Sequence, residues 1–175
     1  MNTWQVARQL QYLARSRKWP GSSTTVWHTD SVKITSAPRE AVVEQMVMPA
    51  LLIRPLGATS DPEAEEEPDV IDQEFAFTIA TAQVGDSWGE YPLVGGQRSG
   101  QTSSVGRGLL EIEEELFSTI ELLNTDDGVV IEHRASSATQ AQLVGNRYVA
   151  VRDYLFRARV TADRYYHPVI NLQEA

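Results

Sequence analysis

Apolar residues recurring in steps of three and four mark two helices in this chain, and alternation marks its strands. Leu109, Ile112, Leu116, Ile120 and Leu123 form the longer stripe, widened by Leu110 and Phe117. This predicts an amphipathic helix that begins near Arg107 and ends in a turn over Asn124 to Gly128. Its outer face reads as Glu111, Glu114, Glu115 and Glu121. There Glu111 and Glu115 repel by roughly a few tenths of a kcal/mol, offset in part by the dipole of the helix start. Trp4, Ala7, Leu10, Leu13 and Ala14 set a second helix over residues 3 to 17, stopped by Pro20 and Gly21. Trp4, Tyr12 and Trp19 read as packing residues.

Among the strands, Phe75, Phe77 and Ile79 alternate with Ala76, Ala80 and Ala82, so one face is core and the other admits a close neighbour. Ala50 to Ile53 is apolar on both faces, as a central strand covered on both sides would be, and Arg54 and Pro55 close it. Val129 to Ile131 begin another strand. The last long strand, Tyr148 to Val160, places Val149 and Val151 on one face and Tyr154, Phe156, Ala158 and Val160 on the other. A buried face that changes near Arg152 and Asp153 predicts a bulge, a bend, or a departure from the sheet toward a neighbour. Val26 and Val32/Ile34 around Thr29-Asp30-Ser31 predict a hairpin. Ser36 and Pro38 open either a short helix over Arg39 to Met46 or, reading Val42, Val43 and Val47, a strand.

Two segments break the pattern. Asp61, Glu63, Glu65 to Glu67, Asp69 and Asp72 crowd around Pro62 and Pro68, which predicts a solvated acidic loop over about residues 60 to 73. Seven of the eleven glycines lie between Gly85 and Gly108, in a stretch with too few apolar residues to pack alone. Long loops of this kind usually do something. This one carries Trp88, Tyr91 and Arg98, and Arg107 at its end, as residues that would find partners on a neighbouring subunit. Arg152 and Asp153, at the change of face, join them as candidate interface residues.

Composition narrows the functions. At 175 residues with 42% hydrophobic and 22% charged positions, one globular domain spanning 1 to 175 is expected. No apolar run approaches the roughly 20 residues of a membrane span, and no signal-peptide core opens the chain. The absence of cysteine excludes thiolate nucleophiles, thiolate metal sites and disulfides. Residues 1 to 29 hold four basic side chains, Arg8, Arg15, Arg17 and Lys18, and no acid. The remainder therefore holds 11 basic against 24 acidic residues, a charge of −13, which repels nucleic-acid phosphates.

No catalytic chemistry emerges. His28, His133 and His167 have no ligand-like spacing, so no metal is assigned. Gly106-x-Gly108 resembles the front of a dinucleotide fingerprint, but Glu111 stands where the third glycine belongs, and Glu113 to Glu115 would repel a pyrophosphate. No cofactor is expected. The carboxylates of the long helix read as a solvated face rather than an acid and base pair. Trp27, Trp88 and Tyr91 could stack on bases, but without basic neighbours they read as packing or protein contacts.

The order PALLIRP (49 to 55), an acidic insertion, EFAFTIAT (74 to 81), a glycine-rich loop, GRGLLEIEEELFSTIELLN (106 to 124) and RYVAVRDYLFRARV (147 to 160) resembles the tail terminator proteins of long-tailed bacteriophages. The likeness covers about residues 40 to 160. It implies a small α/β protomer of α+β type, with a mixed sheet and helices packed mainly on one face. It also implies a non-enzymatic virion protein of the tail and neck, assembled in the host cytoplasm. Such a protomer forms a homo-hexameric ring on the tail tube protein, stops tube polymerisation and presents the surface for the head-to-tail connector or stopper. DNA passes through the lumen without specific binding, and no membrane is involved. Another neck component, an adaptor or stopper, is the nearest alternative; a small cytoplasmic enzyme or ligand-binding domain is the alternative of a different class. The acidic insertion and the basic first helix are departures from the family's pattern.

Overall fold

The structure, a computed structural model, describes residues 1–37, 39, 43, 45–60, 70–84, 108–126, 129–144 and 147–161. Two long helices, α1 (Thr3–Ser16) and α2 (Leu109–Asp126), accompany six strands: β1 (Val32–Ile34), β2 (Ala50–Ser60), β3 (Val70–Val84), β4 (Ile131–Ser136), β5 (Gln140–Val144) and β6 (Arg147–Thr161). The sheet order is β1-β2-β3-β6-β4, with β5 also paired to β6. Among the described residues only β1 and β2 run parallel; every other strand pair is antiparallel. The molecule is thus a mixed α+β fold around a six-stranded mixed sheet.

Strands β3 and β6 form its spine. They pair from Val70↔Thr161 to Val84↔Arg147 without a register shift, a ribbon about 50 Å long at the rise of an antiparallel strand. One face carries Phe75, Phe77, Ile79, Ala150, Tyr154, Phe156, Ala158 and Val160, and on it pack Val6, Ala7, Leu10 and Ala14 of α1 and Leu109, Ile112, Leu116, Ile120 and Leu123 of α2. Both helices therefore cover the same face. Phe156 anchors this core, with ring centroids 5.1 Å from Phe77, 5.6 Å from Phe117 and 5.1 Å from His133. Aromatic pairs at such distances add about 0.5–1.5 kcal/mol each beyond their burial. On the other face Ala50, Leu52, Ala80, Val149 and Val151 meet Val43 and Met46 in a second, smaller cluster.

That second cluster corrects the expected change of face in the last strand. β6 keeps one unbroken alternation; its first half is buried on both sides because Val149 and Val151 reach the smaller cluster while Ala150 faces the helices. The irregularity lies in its neighbours. β4 shifts register between His133 and Ala135 and gives way to β5 opposite Arg152 and Asp153.

Other expectations are corrected locally. The hairpin over Val26 to Ile34 does not form: Thr29–Ser31 is a 3-10 turn, and Val32–Ile34 pairs in parallel with Leu51 to Ile53. The preceding backbone is held elsewhere, Val26 N–H donating to the Arg17 carbonyl (2.9 Å) and His28 N–H to that of Pro49 (3.1 Å). β2 does not stop at Pro55. Beyond Ile53 it has left β1 behind and pairs with β3 alone, where a missing N–H is tolerated, and a register shift between Pro55 and Ala58 carries it on to Ser60. β3 correspondingly begins at Val70, so Asp72 belongs to a strand and not to the acidic loop. Residues 61–69 lie outside the described residues, as do 40–42 and 44 of the 39 to 46 segment.

α1 begins with a capping box, Gln5 N–H donating to Asn2 Oδ1 (2.8 Å) and Asn2 N–H to Gln5 Oε1 (3.0 Å). Its buried stripe is Val6, Ala7, Leu10, Gln11 and Ala14. Trp4 is 55% and Tyr12 67% exposed, so neither is the packing residue expected of it, whereas Trp19 is buried. At the far end of α2, Asn124 clips the helix to β4 by accepting from Ile131 N–H (2.9 Å) and donating to the Ile131 carbonyl (3.2 Å).

Candidate functional site

Of the six candidate interface residues, Trp88, Tyr91, Arg98 and Arg107 lie outside the described residues. Arg152 and Asp153 sit side by side on β6, and strand alternation sends them to opposite faces. Between them runs Ser137, in the break that separates β4 from β5. Ser137 N–H donates to the Asp153 carbonyl (2.8 Å), Asp153 N–H donates to Ser137 Oγ (3.0 Å), and Arg152 Nε donates to the Ser137 carbonyl (3.1 Å). The pair thus satisfies both backbone groups of Ser137, at the break where the edge strand leaves them without a ladder.

On the helix face, Arg152 Nη1 meets Glu113 Oε2 at 3.1 Å, and its guanidinium lies 5.4 Å from the Tyr154 ring centroid. The Tyr154 hydroxyl is buried beside them without a hydrogen bond of good geometry. Burial pushes its pKa above the ordinary tyrosine value; the Glu113 carboxylate adds to that rise and Arg152 opposes it.

On the opposite face Asp153 is the hub. Thr78 Oγ1 donates to Asp153 Oδ1, Arg39 Nη1 donates to Oδ2, and Arg54 Nη2 stands 3.8 Å from Oδ1. Arg39 also donates through Nη2 to Gln140 Oε1 (2.6 Å). One carboxylate therefore organises two arginines over the middle of the sheet, between the small apolar cluster and the charged far end of the ribbon.

At that far end Arg157 bridges Asp72 and Glu132, both at 3.2 Å, and Arg159 approaches Asp72 at 3.8 Å. With Val130 these residues line a groove of about 190 Å³. This is below the ~300–1,000 Å³ of a typical small-molecule site, and the charges lining it already pair with one another.

A fourth interaction overturns part of the reading of α2. Glu115 is only 7% exposed and pairs with Arg17 Nε at 2.6 Å, tying the end of α1 to the middle of α2. It faces inward because Arg17 supplies its counter-charge there. Glu114 does point to solvent. Trp27 is fully buried, so it cannot stack on a base and is a packing residue. His133 packs against Phe117 and Phe156 and touches Ser136 Oγ at 2.9 Å. Among the described residues no three metal-ligating side chains converge.

No family model and no curated protein matches the chain. Its own geometry therefore carries the functional reading. What Arg152, Asp153, Glu113, Arg39 and Arg54 do together is hold an interrupted edge of the sheet in one shape from both sides. Sequence reasoning found Arg152 and Asp153 through the apparent change of face. It missed Ser137, although Val144-Gly145-Asn146-Arg147 is a two-residue hairpin signal that would have revealed β5 and, with it, the break before Gln140.

Proposed function

We propose that this chain is a bacteriophage tail terminator, a ring-forming protomer that caps the tail tube, stops its polymerisation and offers the surface for head attachment. The observation that carries the reading is architectural. The sequence blocks whose order resembles that family build a mixed sheet with α2 on one face, and α1, outside those blocks, packs on the same face, so that the long helices lie on one side as the resemblance implies. Charge supports it as well. A body of −13 outside the first 29 residues suits a ring through which DNA slides without adhering.

The test is deletion combined with microscopy. Loss of the protein is expected to leave overlong tails, and the purified protein is expected to cap isolated tail tubes in negative stain. An adaptor or stopper would instead attach on the head side and leave bare tubes unbound. If the protein neither self-assembles nor binds tubes, and deletion leaves tail length normal, the proposal is wrong.

A further inference from the structure

The two helices that cover the sheet present outward faces of opposite character. On α1 the solvent arc holds Trp4, Arg8 and Tyr12 at i, i+4 and i+8, with Met1 beside them. These positions line one side of a helix. The Arg8 guanidinium lies 4.2 Å over the Trp4 ring and donates to Gln11 (3.0 Å), both uncharged groups. On α2 the solvent side holds Leu110 (43% exposed), Glu114 and Glu121 at i, i+4 and i+11, along one side of the helix, with the exposed Leu122 (37%) next to Glu121. One face is aromatic and basic, and the other is aliphatic and acidic.

We infer that the chain binds a second copy of itself through this helical layer, the Trp4/Arg8/Tyr12 face of α1 seating on the Leu110/Glu114/Glu121 face of α2 of the next copy. The inference names the surface used by the ring proposed above, and rests on that reading for its partner. Charge complementarity selects the second copy. A basic aromatic helix by itself suits any anionic surface, lipid and nucleic acid included, but here the complementary face lies on the same layer of the same molecule. Each copy therefore offers one donor face and one acceptor face, which used head to tail form a ring when the rotation between copies closes. α1 has fourteen residues and is about 21 Å long. One helix pair of that length is a small contact beside the ~800 Å² per partner of a standard interface, so association depends on concentration and weakens with salt.

The experiment uses the full chain with charge-reversal variants, read by sedimentation velocity alone and by negative stain on tail tubes. Folding is checked by the thermal unfolding midpoint. Arg8→Glu and, separately, Glu114→Arg with Glu121→Arg are each expected to shift the association midpoint at least tenfold to higher concentration. An equimolar mixture of the two variants is expected to regain assembly, because each then supplies the face that the other lacks. The chain has no cysteine, which allows an independent check. Arg8→Cys protein mixed with Glu114→Cys protein is expected to form disulfide-linked dimers in yield well above either alone.

Assembly by both reversal variants as tightly as wild type, failure of the mixture to recover, or cross-linking no better in the mixture than in either parent overturns the surface while leaving the ring reading intact. Arg8-dependent binding to vesicles of anionic lipid or to duplex DNA, without self-association, overturns the choice of partner. A wild-type chain that stays monomeric both in solution and on tubes overturns the ring reading and the inference with it.

Discussion

Removing the Asp153 carboxylate is expected to be among the most damaging single changes on the sheet face opposite the two long helices. In Asp153→Ala the fully buried Thr78 hydroxyl loses its acceptor, and Arg39 and Arg54 lose the anion between them. A stranded buried hydroxyl costs about 1–3 kcal/mol. Breaking a buried ion pair costs about 3–5 kcal/mol and an exposed one about 0.2–1. Here the three charged side chains are 19–27% exposed, so the electrostatic part falls between these limits. The sum is about 3 kcal/mol, or roughly 6–12 °C in melting temperature for a chain of this size. Asp153→Asn keeps an acceptor for Thr78 and is expected to cost about half as much. Urea unfolding at low and high salt reads both variants, and the gap between them narrows as salt screens the charge. An Asp153→Ala variant within about 0.5 kcal/mol of wild type would refute the view that this carboxylate organises the face opposite the helices.

Three further outcomes follow from the same geometry. Glu115→Ala strands Arg17 at the junction of the helices and is expected to cost about 2 kcal/mol in urea unfolding, whereas Glu114→Ala, one residue away and exposed, stays within about 0.5 kcal/mol. Phe156→Ala empties the centre of the aromatic core and is expected to cost about 3–5 kcal/mol, while Trp4→Ala leaves monomer stability within about 0.5 kcal/mol; thermal melts of the two variants check this. Tyr154→Phe discards a buried hydroxyl that makes no hydrogen bond of good geometry and is expected to be near neutral at pH 7. Because burial raises the folded-state pKa above the ordinary 10.0, the unfolded chain loses that proton first. Wild-type stability should therefore fall, by at most about 1.4 kcal/mol per pH unit, as pH rises from 10 toward the folded value. Tyr154→Phe should remove that component from alkaline unfolding curves.

Much of the fold was legible because burial leaves a period in the sequence. The alternation at Phe75 to Ala82, the two-sided Ala50 to Ile53 and the stripe of α2 all lie where expected. What stayed hidden depends on partners distant in sequence. Val32 to Ile34 looks like half of a hairpin until β2 offers a parallel edge. Glu115 looks like its exposed neighbours until Arg17, ninety-eight positions earlier, meets it. Pro55 reads as a terminator because the sequence does not show that β1 has already ended there. Trp4 reads as core because helical spacing alone places it beside Ala7, whereas the sheet takes Val6, Leu10 and Gln11 instead. At the candidate interface, Arg152 and Asp153 were found for a pattern that arises from two buried faces. Their observed engagement is with Ser137 and with charged partners on either side of the sheet.

The most direct measurement of the central claim is the length of tail tubes polymerised from purified tube protein, with and without this chain, counted in negative stain. A terminator is expected to leave a ring of density on one tube end and to halt further growth when fresh tube protein is added. Bare ends that continue to elongate at the same rate in its presence would contradict the account.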